Sequence, residues 1–160
     1  MIIREYKQED RQDVVRCIGL LQDYIATLDP LHRHRHLADF DAETYISGSF
    51  EEVKKHSGAV YVAEEEGNMV GCIIGAVYQD LPDSIQRYPS TNGKIVELIV
   101  LPEHRGKGVG NALMERMEQY LVSQKCTVIT VECFAPNMDA HRFYEKLGYN
   151  DRLITLIKAF

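Results

Sequence analysis

Pro102-Glu103-His104-Arg105-Gly106-Lys107-Gly108-Val109-Gly110-Asn111 lies between an apolar run, residues 95–101, and a segment in which Leu113, Met117 and Leu121 recur at helical spacing. Three alternate glycines let a chain turn tightly and come close to a ligand. The first N–H groups of a helix have no intrahelical acceptor and face outward to an anion. Strand, glycine-rich turn and helix in that order make a seat for a diphosphate. A further apolar run, residues 128–133, completes a strand, helix, strand unit and so implies a parallel crossover.

Two familiar phosphate motifs fail on residue identity. A dinucleotide fingerprint needs glycine three residues after Gly108, where Asn111 stands, and an acidic residue about twenty positions beyond to hold a ribose, which is missing. A P-loop needs GxxxxGK[ST], which occurs nowhere in the chain.

Working outward, Ile2 and Ile3 open a short strand, and Val14, Ile18, Leu21 and Ile25 predict a helix from about Asp10. Asp29-Pro30 interrupts that pattern, and residues 31–50 read as a loop plus a short helix. Residues 60–63 and 69–78 form an antiparallel pair across a Gly67-Asn68 turn. A polar stretch, 79–94, leads to the strand at 95–101. Beyond 128–133 the sequence predicts a helix over 139–147, ended at Gly148, and a last strand over 153–157.

The bulk composition agrees with one domain, residues 1–160, of a size that buries roughly 70% of its unfolded surface. It is 45% hydrophobic and 26% charged, with no repeat, low-complexity tract or linker. A net charge of −6 opposes phosphate-backbone binding, so nucleic acid is not the expected partner. No apolar run reaches bilayer length and the N-terminus lacks a signal-peptide core, so no membrane partner is expected and the expected address is cytoplasmic. Cys17, Cys72, Cys126 and Cys133 show no CxxC spacing and read as reduced, mostly buried thiols. Cys133, ending a strand-like run, has an acyl-accepting nucleophile as its alternative role.

The stretch Arg105-Gly106-Lys107-Gly108-Val109-Gly110 resembles the [QR]-x-x-G-x-[GA] signature of the GNAT N-acetyltransferase family, through Arg105, Gly108 and Gly110. A second family pattern, N-x-x-A-x-x-F-Y-x-x-x-G-[FY], is matched by Asn137, Ala140, Phe143, Tyr144, Gly148 and Tyr149. The resemblance implies an α/β fold with a mixed, twisted sheet, flanking helices and a splay between central strands that admits acetyl-CoA. It further implies that backbone N–H groups over Arg105, Gly106, Lys107, Gly108, Val109, Gly110 and Asn111 hold the diphosphate, while the backbone of Leu98, Ile99 and Val100 holds the pantetheine and acetyl carbonyl. The Asn137 side chain would contact the cofactor, and Tyr144 would protonate the departing thiolate. The implied reaction is direct attack by an amine in a ternary complex, without a metal; a homodimer is compatible with the family.

An aliphatic amine is protonated at neutral pH, with a pKa of about 10, so a base is needed. Glu97 is a carboxylate inside an apolar strand, and alternation places it on one face with Ile95 and Ile99. Burial there would raise its pKa and suit it to be that base; a structural carboxylate or one exposed at the sheet edge are the other readings. His32, His34 and His36 alternate with Arg33 and Arg35, a pattern open to a metal but read as a solvated cationic loop. This segment coincides with the family's acceptor-shaping region, where Tyr24, His36, Asp39 and Asp41 are the substrate-binding candidates. The competing functions are an acyl-CoA-sensing module without turnover and a nucleotide binder of another class, the latter disfavoured by the missing fingerprints.

Overall fold

A computed structural model describes residues 1–83, 85 and 88–159. The elements are β1 (Ile2–Glu5), α1 (Arg11–Leu28), α2 (Ala42–Lys55), β2 (Ala59–Glu65), β3 (Asn68–Gln79), β4 (Thr91–Val100), α3 (Val109–Ser123), β5 (Val128–Val131) and α4 (Met138–Lys146), with 3-10 turns at Gln8–Asp10, Leu37–Asp39 and Pro102–His104. Strands β1 to β5 lie in chain order in one sheet. The first four pair antiparallel, and β5 runs parallel to β4 after the crossover through α3. This is the mixed sheet with flanking helices that the sequence predicts.

Three predicted elements depart from the structure by more than two residues at an end. Helix α2 has 14 residues and runs to Lys55, longer than the short helix expected within 31–50, because Asp41 caps it through the Thr44 N–H and its few apolar positions, Ile46, Phe50 and Val53, recur on one face. Strand β4 starts at Thr91, inside the predicted polar stretch, because Asn92, Gly93 and Lys94 are paired on both sides, to β3 and to β5. Of that stretch, Ser84, Gln86 and Arg87 lie outside the described residues. The third difference is at the end of the chain: residues 153–157 have strand-forming side chains but no strand partner, and they form no strand.

The sheet has a core on each face. Val14, Cys17, Ile18, Ile46, Val62, Cys72, Ile74 and Ile99 pack under α1 and α2. Tyr61, Ile73, Ile95, Leu113, Met114, Met117 and Leu121 pack under α3.

Helix α3 comes close to the sheet because glycines lie beneath its apolar stripe. A Cβ on Gly71 would come within 3.3 Å of Leu113, on Gly75 within 2.5 Å of Met117 and on Gly93 within 2.8 Å of Leu121. Leu113, Met117 and Leu121 follow at four-residue steps, so three consecutive turns of one helix face each fill the space of a missing side chain. Overpacking such a site forces side chains off their rotamers. Gly75→Val should therefore lower stability by roughly 1–3 kcal/mol, read as a lower urea midpoint with unchanged slope.

Candidate functional site

The site starts from one extra residue in β4. Ile74 pairs with Glu97 while the adjacent Gly75 pairs with Ile95, which leaves Val96 without a β3 partner as a bulge. Side chains alternate along a strand, so an extra residue switches the face of everything after it. Ile95 therefore joins the core under α3, whereas Val96 and Ile99 both join the core under α1 and α2. Glu97, opposite Ile74, falls on the α1 and α2 face, and its side chain meets Tyr45 of α2. The expectation that Glu97 shares a face with Ile95 is thus corrected; the one with Ile99 agrees with the structure.

Beyond the bulge, β4 and β5 part. Their parallel pairing ends at Ile95 and Val131, although β4 continues to Val100. The Leu101 N–H donates to the Val70 carbonyl at 2.9 Å. By the alternation of an antiparallel ladder, Ile99 and Glu97 also turn their backbone groups to β3, while Leu98 and Val100 turn theirs into the opening. The Val100 carbonyl already accepts from Arg105 Nε at 3.0 Å. That guanidinium also lies over the Tyr24 ring, 5.6 Å from its centre, so Arg105 ties the loop to both β4 and α1.

The loop at the head of the opening is shaped for an anion. Gly106 and Gly108 have φ of 73° and 84°, in the left-handed region that favours glycine, and Cβ atoms built on them would meet nothing. Among the described residues, no protein acceptor takes the N–H groups of Gly106, Lys107, Gly108, Val109, Gly110 or Asn111. The last three begin α3, whose positive dipole end they carry. Gly110 serves a different purpose, since a Cβ there would press on the Phe143 ring at 3.2 Å. Lys107 is exposed beside this row of donors.

Tyr144 lies on α4. Its ring meets Phe143 and Tyr149 edge-on, at 5.3 and 5.9 Å between centres, and packs on the core under α3. Burial pushes its phenol up to about 12, with smaller contributions from Cys133 and the Glu97 carboxylate. Its hydroxyl takes no protein partner among the described residues and is not sealed from solvent. Glu97 is also held above the usual carboxylate range by burial, against the opposing effects of the Tyr45 hydroxyl and Lys94. A carboxylate able to take a proton and a phenol that retains one therefore share a single electrostatic neighbourhood.

Residues 20–149 match the model of the acetyltransferase (GNAT) family. The chain belongs to the GNAT family. An uncharacterized N-acetyltransferase of Methanocaldococcus jannaschii is 38% identical over 93 residues, which cover 58% of this chain and 53% of that protein. The chain thus spans about half the length of the curated relative it matches. A mutant of the Bacillus halodurans protein BH1408 superposes with a TM-score of 0.86 at 20% identity, over 100% of this chain and 99% of the other. AAC(6')-Iy in complex with the bisubstrate analogue CoA-S-monomethyl-acetylneamine superposes with a TM-score of 0.68 at 17% identity, over 99% and 98% of the two chains. At such identities the likeness is one of fold.

Within this GNAT protein the remaining predicted residues have specific structural partners. Asn137 is buried and its side chain accepts from the Ala140 N–H at 3.3 Å, capping α4. Asp41 caps α2 in the same way and accepts from the Thr44 hydroxyl as well. His36 bonds Asp23 through Nδ1 at 3.0 Å, and Asp39 is exposed. Burial pushes the Cys133 thiol up, which leaves it protonated and poorly nucleophilic at neutral pH. No helix of the described residues is long and apolar enough to cross a membrane.

Two residues escape the sequence reading. Tyr45 contacts Glu97 from 52 positions away, and no periodicity in a mostly polar helix marks it. Asp29 is 5% exposed and collects the N–H groups of Leu31, Arg33 and His34 together with His34 Nδ1, at 2.7–3.0 Å. The His34 ring in turn meets Phe134 ahead of α4, 5.2 Å between centres. The histidine-rich loop is thereby folded around one carboxylate and leans on the β5–α4 connection. Asp29→Ala should strip the Leu31, Arg33 and His34 amides of protection in hydrogen exchange while the sheet amides keep theirs. The His34 side chain, followed by the loop N–H groups, holds the Asp29 carboxyl well below the usual carboxylate range. Its contribution is accordingly complete above about pH 4, the unfolded carboxylate pKa, and is lost as the pH falls through the depressed folded value.

Proposed function

We propose that this protein is an N-acetyltransferase that moves the acetyl group of acetyl-CoA to a primary amine of a small molecule or peptide, by direct attack in a ternary complex. The observation that carries the reading is the row of unpartnered N–H groups from Gly106 to Asn111 at the head of the opening beside Leu98 and Val100. Residues 1–160 act as one acetyltransferase domain in the cytoplasm. When bound, acetyl-CoA supplies the activated acyl group: an N–C bond replaces the C–S bond, and the free thiol is released.

The chain's own residues then divide the work. The loop donors and the N-terminus of α3 hold the diphosphate, a use of oriented dipoles that needs no side-chain charge. Leu98 and Val100 offer the backbone of a strand edge to the pantetheine arm, with Arg105 exchanging its bond to Val100 for one to the ligand. Glu97 takes the amine proton, directly or through water. Tyr144 returns a proton to sulfur. Tyr45 steadies the Glu97 carboxylate, and the loop organised by Asp29 forms the acceptor side together with Tyr24 and His36. The acidic net charge favours a cationic amine over an acidic one.

Incubation with acetyl-CoA and a panel of amines and peptides should give equal amounts of free thiol and of a product about 42 Da heavier, an acetyl group having replaced a hydrogen. Binding of acetyl-CoA with no thiol release under any acceptor would favour a sensing module, and no binding at all would refute the assignment. Tyr144→Phe should lower kcat by about 10²-fold or more with little change in acetyl-CoA affinity. Glu97→Gln should remove the acid limb of the pH–rate profile. Because the Tyr45 hydroxyl lowers the Glu97 pKa, Tyr45→Phe should move that limb to higher pH; an unmoved limb would separate Tyr45 from the base.

A further inference from the structure

A cleft of about 340 Å³ opens at the start of β4, away from the glycine-rich loop, and is lined by Tyr78, Asn92, Gly93, Lys94, Thr130 and Arg152. Its wall against α2 is fixed. The Tyr78 ring stacks on His56, 4.3 Å between centres, and its hydroxyl donates to Glu52 at 3.4 Å. The Asn92 amide donates to Asp80, which also takes the N–H and hydroxyl of Ser90. The two cations are less engaged. Arg152 is exposed and makes no hydrogen bond or ion pair among the described residues. Lys94 bonds Glu132 Oε1 at 2.8 Å, but that carboxylate is 86% exposed. A pair so open to water contributes little and gives way to a better placed anion.

The cleft and the candidate base share one face of the sheet. Lys94 pairs with Ala76 and Glu97 with Ile74, two residues apart on β3, so both side chains leave the same face about 7 Å apart. Lys94 is near enough for its charge to act on the Glu97 carboxylate. Thr130, paired with Lys94 on β5, continues that face toward the sheet edge. The face therefore has two poles, the Glu97 carboxylate beside Leu98 and the Lys94 and Arg152 cations farther from the loop. A simple amine would satisfy only the first.

We propose that Lys94 and Arg152 bind an anionic group, a carboxylate or a phosphate, on the same small molecule whose amine is acetylated. This narrows the acetyltransferase reading, on which it rests: the acceptor is a zwitterion rather than a simple amine. An arginine fork meets two oxygens of either anion at once, and the lysine ammonium adds a further contact. Opposite charges at the two ends of a site fix the direction in which a dipolar ligand enters, here with its amine toward Glu97. The negative charge of the whole chain draws the ammonium from a distance, whereas the two local cations select what else the acceptor carries. An anion at Lys94 also offsets that cation's pull on Glu97, which leaves the carboxylate a stronger base once the acceptor is bound. The volume is at the small end of ligand clefts, so the acceptor is compact.

Matched acceptors test this, with thiol release from acetyl-CoA as the readout: ω-amino carboxylates of increasing length beside their amides, and aminoethyl phosphate beside aminoethanol. In the natural chain kcat/KM for the anionic member should exceed that for the neutral one by roughly 10-fold or more, most of the difference lying in KM. Arg152→Met and Lys94→Met should each bring that ratio toward one, and Glu132→Gln, which frees Lys94, should raise it. The series with the larger ratio identifies the anion as carboxylate or phosphate. A ratio near one in the natural chain, or one that the loss of neither cation lowers, overturns the inference and leaves acetyl transfer itself standing. If no acceptor of any charge releases thiol, the acetyltransferase reading falls and this inference with it. Should Lys94→Met fail to fold by circular dichroism, the ratios of the natural chain and of Arg152→Met decide.

Discussion

The extra residue in β4 governs the rest of the structure. Without the bulge Val96 would stand opposite Ile74 and Glu97 opposite Ile73, so the carboxylate would point beneath α3 into an apolar core. With it, the carboxylate emerges under α2, where Tyr45 can reach it. The same stretch of strand is where pairing to β5 ends, so that Leu98 and Val100 keep a backbone edge free of strand pairing. A bulge is costly within a ladder, and its position beside the candidate site is where such irregularities accumulate.

The rest of the molecule makes this local departure tolerable. Leu113, Met117 and Leu121 lock α3 onto Gly71, Gly75 and Gly93, which fixes the first turn of α3 relative to β4. Arg105 and Tyr24 fasten the loop from one side, and Phe143 on Gly110 fastens it from the other. The donors from Gly106 to Asn111 are therefore held in place by groups that do not use them. Such preorganisation is what makes backbone dipoles effective, because little reorganisation is left for the moment of binding.

Glu97 and Tyr144 show how burial distributes protons. Both are raised from their ordinary values, the carboxylate because its charge loses water and the phenol because its anion would as well. For the carboxylate this shift moves toward neutrality and for the phenol away from it. Each negative form also disfavours the other, so the stable arrangement near neutral pH keeps the phenolic proton on Tyr144. Tyr45 moderates the first shift by donating to Glu97, and Lys94 adds a weaker pull in the same direction.

The two motifs, the strand and helix order and the exceptional carboxylate at Glu97 were legible in the sequence, because backbone turns and helix starts demand particular residues at fixed short spacings. The parity of β4 was not: alternation assumes an unbroken ladder, and no residue type announces that Val96 is passed over. Asn137 was read as a cofactor contact and Asp41 as a substrate contact; that each also caps a helix depends on where that helix begins. The contacts of Tyr45 with Glu97 and of His34 with Phe134 join distant positions and depend on how α2 and the loop gathered by Asp29 lie on the sheet. The sequence by itself determined which chemical groups and which local turns this protein has. Only the tertiary structure decided which of them meet, because a one-residue change of register or the packing angle of one helix reassigns every long-range contact.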